Sequence, residues 1–207
     1  MLKIEILTLG AYRTNCYVVH DTNAQECVII DPGYEPQTIL ARLESLELEP
    51  VAILLTHGHF DHVGAVEAIV KATGCALWMR EADYTQKSNP MTDYLYPLHD
   101  TDRFPVNFCE EGQKLCVAGL TFLVMETPGH TWGSVCYLCE DAMFSGDTLF
   151  AGACGRTDLP GGDRKTIFDS LERLAGLEGD YRVFPGHGES STLSRERQTN
   201  PYLRDFL

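Results

Sequence analysis

The sequence is short of basic residues. Sixteen lysines and arginines stand against 30 aspartates and glutamates, which gives a formal net charge of −14. No basic stripe runs along the chain, and the phosphate contacts that dominate nucleic-acid binding need lysine and arginine. An acidic surface disfavours anionic lipid for the same reason. We therefore expect neither a nucleic-acid partner nor a membrane partner.

Long apolar runs are missing as well. No stretch approaches the roughly 20 apolar residues of a membrane-spanning helix. The amino-terminal stretch 1–7 carries Glu5 inside its only apolar run and has no small-residue cleavage motif. It is therefore predicted to be a strand and not a signal peptide. A cytoplasmic location is the expectation that follows.

The chain also lacks a low-complexity linker and a clear domain boundary, so a single domain over residues 1–207 is expected. One segment, 81–108, has no hydrophobic period but is rich in aromatic residues. A connection of this length is usually either functional or disordered, and its aromatic residues argue against disorder. It is either a lid or specificity loop beside the site or a packed surface excursion, and we predict the lid.

The hydrophobic pattern predicts an α/β protein. Amphipathic spacing predicts helices over 36–48, 64–73 and 163–174, and β-rich runs precede each of them. Each half of the chain consists of strands followed by strand–helix pairs. This order predicts two sheets packed back to back with helices on the outside.

The densest chemical feature is the stretch Thr56-His57-Gly58-His59-Phe60-Asp61-His62. Imidazole and carboxylate at this density are ligands for zinc, iron or manganese. The apolar run 51–55 before it is predicted to be a buried strand. The cluster then lies at the carboxyl end of that strand, where open α/β sheets usually place their sites.

Three later segments, 125–130, 144–148 and 183–188, repeat this layout, since each brings one histidine or aspartate beside a glycine at a predicted strand end. Together with the first cluster they supply seven candidate ligands: His57, His59, Asp61, His62, His130, Asp147 and His187. Seven is too many for one metal ion, but two ions that share one carboxylate would have four protein ligands each. Asp147 suits the shared position. We expect two divalent ions, with zinc first and iron or manganese as alternatives because these ligands suit all three.

Two divalent ions close together lower the pKa of a bridging water, so the expected nucleophile is a metal-bridging hydroxide. Asp61 and Asp147 are the candidate catalytic residues, since Asp61 can also hold the proton of that hydroxide by a hydrogen bond. Asp31 ends a predicted strand, where it either orients a ligand loop by hydrogen bonding or simply forms a turn. The centre stays locally cationic, which suits an anionic small-molecule substrate.

These motifs carry a family resemblance. The pattern His-x-His-x-Asp-His at 57–62, with the segments 128–131, 145–150, 154–158, 185–188 and 200–203, resembles the metallo-β-lactamase superfamily. Within it, the chain looks like the short bacterial type of glyoxalase II-like (hydroxyacylglutathione hydrolase-like) hydrolases. The resemblance implies a four-layer αβ/βα sandwich, with two mixed sheets flanked by helices and the metals at the sheet edges. It also implies one metal on His57, His59 and His130, the other on Asp61, His62 and His187, and Asp147 as the bridge.

The activity implied by the resemblance is hydrolysis of thioesters, that is, of hydroxyacyl-thiols. Arg156 occupies the position where glutathione-thioester enzymes place a basic residue near the substrate's carboxylate; the alternative is an internal ion pair with Asp158. Such enzymes bind glutathione largely through a C-terminal helical domain. Only 20 residues follow His187, so we expect no such domain and leave the thiol carrier open.

Three other functions remain open at this stage. A persulfide dioxygenase has the same ligand set and a similar 154–158 loop but uses a single iron. Lactone hydrolysis could use the same dinuclear hydroxide. A non-catalytic metal-binding module is the alternative from a different class, and it ranks last because no ligand is missing. The sequence does not determine the oligomeric state.

Overall fold

The computed structural model describes residues 1–99 and 103–204. Residues 100–102, which belong to the predicted lid segment 81–108, and residues 205–207 lie outside the described residues. Two six-stranded sheets and a two-stranded ribbon form the framework.

The first sheet is built from the first half of the chain. Its strands are β1 (Leu2–Leu9), β2 (Thr14–Asp21), β3 (Glu26–Ile30), β4 (Glu49–Leu54), β5 (Ala76–Met79) and β6 (Val106–Phe108). The helices of this half are α1 (Pro36–Ser45), α2 (Phe60–Val63), α3 (Val66–Thr73), α4 (Glu81–Tyr84) and α5 (Pro90–Leu95). The strands lie in sequence order, with β1, β2 and β3 antiparallel and β3 to β6 parallel.

The second half forms the second sheet. Its strands are β7 (Lys114–Val117), β8 (Leu120–Glu126), β9 (Val135–Cys139), β10 (Ala142–Gly146), β13 (Arg182–Pro185) and β14 (Ser191–Thr192). The ribbon is β11 (Leu149–Phe150) with β12 (Ala153–Cys154), and the helices are α6 (Arg164–Ala175) and α7 (Leu193–Thr199). The strand order is β14-β13-β10-β9-β8-β7, and only the β10–β13 pair is parallel. Both sheets are therefore mixed.

Alternation along the strands assigns the layers, because successive side chains of a strand point to opposite faces. In β2, Val18 packs in a core with α1 and α3, whereas its neighbours Tyr17 and Val19 pack in a second core against the other sheet. On β9, Tyr137 belongs to this central core. Cys136 belongs to a third core, with α6. The order helix, sheet, sheet, helix is the expected four-layer αβ/βα sandwich.

The helix predicted over 64–73 corresponds to α3, and a separate short helix, α2, precedes it. The cluster itself turns into α2, and α3 begins only at Val66. A tertiary contact causes the break: the amide of Ala65 donates to Pro32 O at 2.9 Å, so it does not continue the helical hydrogen bonds of α2. The turn after β3 is thereby fixed against the metal-like cluster.

The other predicted elements shift less. The helix predicted over 163–174 is α6, and Asp163 caps it by accepting a hydrogen bond from the amide of Thr166 at 2.7 Å. The segment 81–108 contains α4, α5 and β6, and β6 is the edge strand of the first sheet. No helix within the described ranges is both long and apolar enough to cross a membrane.

Candidate metal centre

The candidate ligands converge from strand ends of both sheets. Four of them lie in the loop after β4 and in α2, and His130, Asp147 and His187 follow β8, β10 and β13. The two sheets meet here, since the backbone N–H of Asn15, near the start of β2, donates to Gly186 O at 2.8 Å. All seven predicted ligands therefore lie at one edge of the sandwich.

Three histidines form the first group. Ligand atoms of His57, His59 and His130 all lie within 4.8 Å of one another, and all three side chains are buried. Nδ1 of His59 lies 3.0 Å from Nε2 of His130. We call these residues the three-histidine group.

The second group combines one carboxylate with two imidazoles, from Asp61, His62 and His187, again within 4.8 Å. Oδ2 of Asp61 lies 3.3 Å from Nε2 of His187 and 3.7 Å from Nε2 of His62. We call these residues the Asp-His-His group.

Asp147 lies between the two groups. Its Oδ1 is 3.4 Å from Nε2 of His62, and its Oδ2 is 3.4 Å from Nε2 of His187. The same Oδ2 lies 3.6 Å from Nε2 of His130 in the three-histidine group. One carboxylate thus reaches ring nitrogens of both groups.

Four of the five histidines in the two groups have a hydrogen-bond partner at Nδ1. An acceptor lies within hydrogen-bond distance of each Nδ1: Thr56 Oγ1 for His57 (3.1 Å), Asp31 Oδ2 for His62 (2.9 Å), the Arg156 carbonyl for His130 (2.8 Å) and the Tyr12 carbonyl for His187 (3.1 Å). A neutral ring that donates through Nδ1 has a free lone pair on Nε2. These four Nε2 atoms therefore face the centre as potential ligands.

Unpartnered polar atoms show that this centre fits metal ions. Within the described ranges, Nε2 of His57, His59 and His62 and Oδ1 of Asp147 are buried without a hydrogen-bond partner. Buried polar groups are nearly always paired, so several orphans at one point call for a missing partner. A cation supplies that partner for lone pairs of nitrogen and oxygen alike.

Two rings of the three-histidine group, those of His57 and His59, are neutral without a metal. Burial lowers the pKa of His57 well below its ordinary value, and the neighbouring His62 adds to this effect. Burial also lowers the pKa of His59, to about 3. Neutral imidazole is the form that binds a metal, so these two rings are ready to do so at neutral pH.

The Asp-His-His group behaves differently. Burial alone would lower the pKa of His187, but the nearby carboxylates of Asp147 and Asp61 raise it to about 9. Asp147 and Asp31 likewise outweigh burial at His62 and hold its pKa well above the ordinary value. Without a cation these rings carry protons, and a metal ion would have to displace them.

Asp31 lies behind the site. Its Oδ1 accepts a hydrogen bond from the amide of Thr56 at 2.8 Å, and its Oδ2 accepts from Thr56 Oγ1 at 2.6 Å and from His62 Nδ1. It also falls within 4.8 Å of ring nitrogens of His57 and His62. Its oxygens already serve three donors, so we interpret it as an orienting residue and not as a ligand.

Arg156 lines the cavity and is also paired. Its Nε and Nη2 donate to the two oxygens of Asp158 at 2.6 and 2.7 Å, and both side chains are exposed. The internal ion pair considered from the sequence thus exists, and the same arginine faces the space above the metal centre.

That space is a cavity of about 390 Å³ with five of the seven candidate ligands in its walls. Its remaining walls are apolar apart from Arg156: Tyr12, Phe60, Leu95, Phe150, Cys154 and Leu159. Burial raises the pKa of Cys154, so this thiol is not an activated nucleophile.

Two supporting residues were not identified from the sequence. The Asn15 side chain, 3% exposed, donates to Pro185 O at 3.1 Å and to Gly188 O at 2.9 Å, which fixes the loop of His187. Asp83 is the second, with partners in two ligand loops. Asn15 could have been noticed in the sequence from its residue type, because asparagine is unfavourable inside a strand.

Comparisons with known proteins agree with this architecture. A family model described as the metallo-beta-lactamase superfamily matches residues 9–187. A curated relative, hydroxyacylglutathione hydrolase GloC of Haemophilus influenzae, is 35% identical over 209 residues, covering 98% of each chain.

Two solved structures are also similar. TTHA1623, crystallised in a di-iron-bound form, has a TM-score of 0.83 and 41% identity, and the match covers 96% of this chain and 100% of that one. ETHE1 from Myxococcus xanthus has a TM-score of 0.81 and 27% identity, with coverage of 98% and 85%. Both have the fold described above.

Proposed function

The chain belongs to the metallo-β-lactamase superfamily, and on this premise we propose that it is a dinuclear metal-dependent hydrolase of small thioesters. One observation carries the proposal: two groups of ligand atoms, with Asp147 between them, meet at the floor of a cavity of about 390 Å³. A site of this form places metal chemistry directly against a bound small molecule.

We assign His57, His59 and His130 to one metal and Asp61, His62 and His187 to the other. Asp147 would contact both, because its two oxygens already lie near ring nitrogens of each group. When bound, two divalent ions lower the pKa of water and polarise a carbonyl oxygen. Zinc is our first choice, and the di-iron form of TTHA1623 supports iron as an alternative.

The chain's own residues set the charge and the proton path. Asp61 and Asp147 supply two negative charges against two divalent cations, which leaves the centre cationic and suited to an anionic or carbonyl substrate. Oδ2 of Asp61 faces His187, so its other carboxylate oxygen can accept the proton of the attacking water.

The leaving group accounts for the choice of thioesters. A thiolate can leave as the free anion because a thiol has a pKa of about 8.5, whereas the nitrogen of an amide must be protonated before it can leave. The reaction therefore needs no strong general acid. The relative named hydroxyacylglutathione hydrolase supports the same substrate class.

The cavity walls position the substrate. Tyr12, Phe60 and Leu95 form an apolar side, and Arg156 is the only lysine or arginine among the described lining residues. We propose that Arg156 contacts an anionic group of the thioester, with Asp158 as its partner when no substrate is bound.

A mononuclear iron persulfide dioxygenase is the second candidate, and the similarity to ETHE1 favours it. The experiment that separates the two combines metal analysis with a panel of a hydroxyacyl thioester, a lactone and a glutathione persulfide. We expect two metals per chain, thioester turnover that a chelator abolishes, and no oxygen consumption. One iron per chain with oxygen consumption on the persulfide would replace our proposal, and so would lactone turnover that exceeds thioester turnover.

A further inference from the structure

Asp83 is a buried carboxylate outside the ligand set. It lies in α4, after β5 has ended, and only 1% of its surface is exposed. It is not among the residues that line the cavity. A buried carboxylate is costly unless its oxygens are well bonded, so its presence here needs a reason.

Its partners belong to two ligand loops. Oδ2 accepts a hydrogen bond from the amide of Gly58 at 2.9 Å and from Oγ1 of Thr131 at 2.8 Å, while Oδ1 accepts from the amide of Gly133 at 2.7 Å. Gly58 stands between His57 and His59 in the sequence, and Thr131 follows His130 directly. One carboxylate thus bonds to both loops of the three-histidine group.

The two glycines leave room for this carboxylate. A Cβ on Gly133 would lie 2.7 Å from Cγ of Asp83, and a Cβ on Gly58 would lie 3.0 Å from its Cβ. Real Cβ atoms essentially never come as close as the first of these distances, and the second is tighter than nearly all of them. Both loops are therefore shaped for Asp83 to approach their backbone.

Asp31 provides the contrast. It bonds to Nδ1 of His62, in the Asp-His-His group, whereas the side chain of Asp83 makes no hydrogen bond to Asp61, His62 or His187 within the described ranges. Its hydrogen bonds there run to the amide between His57 and His59 and to a hydroxyl and an amide that follow His130. Its influence should therefore fall on one metal and not on both.

We propose that Asp83 is the positioning residue of the three-histidine group, holding the loop of His57 and His59 against the loop of His130 so that their ring nitrogens converge. The inference rests on the dinuclear centre of the proposed function, but it does not depend on which substrate is hydrolysed.

The test measures zinc affinity in two single-site backgrounds. His187→Ala disables the Asp-His-His group, and His130→Ala disables the three-histidine group. Asp83→Asn is then added to each, because it keeps the shape but turns an amide nitrogen toward hydrogen-bond donors. Competition with a chromophoric chelator gives the zinc dissociation constant, and cobalt substitution gives the visible spectrum of each site.

We expect Asp83→Asn to weaken zinc binding by about 10- to 100-fold in the His187→Ala background. The cobalt spectrum of that site should change as well. In the His130→Ala background the same substitution should leave the dissociation constant within about twofold. Equal affinities with and without Asp83→Asn in the first background would overturn the inference, and so would equal losses in both backgrounds.

Two further variants separate positioning from general destabilisation. Glu196→Gln perturbs another fully buried carboxylate, which bonds to the Gly152 amide and to Asn200, and it should not change zinc affinity in either background. Thr131→Val removes one of the three hydrogen bonds to Asp83 and should give a smaller loss in the His187→Ala background alone. It keeps the inference testable if Asp83→Asn does not fold. A wild-type chain that binds fewer than two metals would count against the proposed function instead.

Discussion

Oδ2 of Asp31 lies 2.9 Å from Nδ1 of His62, and both side chains are almost fully buried, at 1% and 0% exposure. Asp31 itself has a φ of +49°, a left-handed conformation that aspartate tolerates better than most residues. The strand end is thus bent so that its carboxylate faces a candidate ligand. The ring of His62 is thereby fixed with Nε2 toward Asp147.

Asp31→Asn should weaken metal binding to the Asp-His-His group by about 10- to 100-fold, because residues that orient a ligand contribute that much to affinity. The measurement is zinc affinity in the His130→Ala background. Asp141→Asn is the matched control, since Asp141 is exposed and pairs with Arg182 away from the cavity. Unchanged affinity in Asp31→Asn would contradict the orienting role.

Metal affinity should rise with pH between 7 and 9. His187 in the metal-free site has a pKa of about 9, above the ordinary 6.5, so it is protonated at neutral pH. A metal ion must displace that proton, and each displaced proton makes affinity increase by about tenfold per pH unit until the pKa is passed.

Calorimetric titration of zinc at pH 7.5, in buffers that differ in ionisation enthalpy, counts the protons released. We expect at least about one proton per chain from the Asp-His-His group in the His130→Ala variant. In the His187→Ala variant, proton release should be smaller, because burial keeps His57 and His59 neutral there. Equal release from both variants would be inconsistent with these pKa values.

The aromatic side chain of Tyr94 should affect substrate binding more than turnover, because it packs on the cavity-lining residue Phe60. The ring of Tyr94 lies 4.9 Å from that of Phe60, which in turn lies 5.1 Å from Tyr12. Tyr94 belongs to segment 81–108, so Tyr94→Ala also tests the predicted specificity loop. We expect KM for a thioester to rise by about three- to tenfold, the range of aromatic contact energies, with kcat nearly unchanged.

Met91→Ala is the control for this experiment. Met91 is exposed on the same helix, α5. Neither Met91 nor Tyr94 lines the cavity itself, but Tyr94 packs its ring on the lining residue Phe60. Substitution of Met91 should leave KM unchanged. If both variants have the same KM, Tyr94 does not contribute to substrate binding.

Arg156 can be tested through its partner. Asp158→Asn frees the guanidinium from a bidentate ion pair and should lower KM for thioesters with an anionic acyl group, whereas Arg156→Ala should raise it. The backbone carbonyl of Arg156, which bonds to His130, is retained in both proteins. An exposed pair contributes little to stability, so folding should not differ. Identical KM values would remove Arg156 from the binding site.

Sequence reasoning identified the seven candidate ligands that the structure brings together, because their motif is local and each lies near a predictable strand end. It also predicted the layers, since each half of the chain consists of strands followed by strand–helix pairs. It did not reach Asp83 or Asn15. The partners of Asp83 are 25 to 50 residues away, and the acceptors of Asn15 are 170 and 173 residues away. Such contacts depend on how the two sheets meet, which no local pattern encodes.

The break between α2 and α3 also comes from a contact between residues that are distant in the sequence. The helix predicted over 64–73 begins only at Val66, because the amide of Ala65 bonds to Pro32 O in the turn after β3. Tertiary packing thus decides where the helix starts, and with it the direction of the Asp61 and His62 side chains.

In the proposed site the two groups hold two metal ions, and Asp147 is a ligand of both. The most direct measurement is the metal-to-protein ratio by elemental analysis after zinc saturation and removal of loosely bound zinc, with thioester turnover measured on the same sample. We expect two zinc ions per chain with full turnover. In Asp147→Asn we expect loss of turnover and a metal-to-protein ratio below two in a folded protein. A wild-type metal-to-protein ratio of one with full turnover, or full turnover in Asp147→Asn, would contradict the dinuclear site.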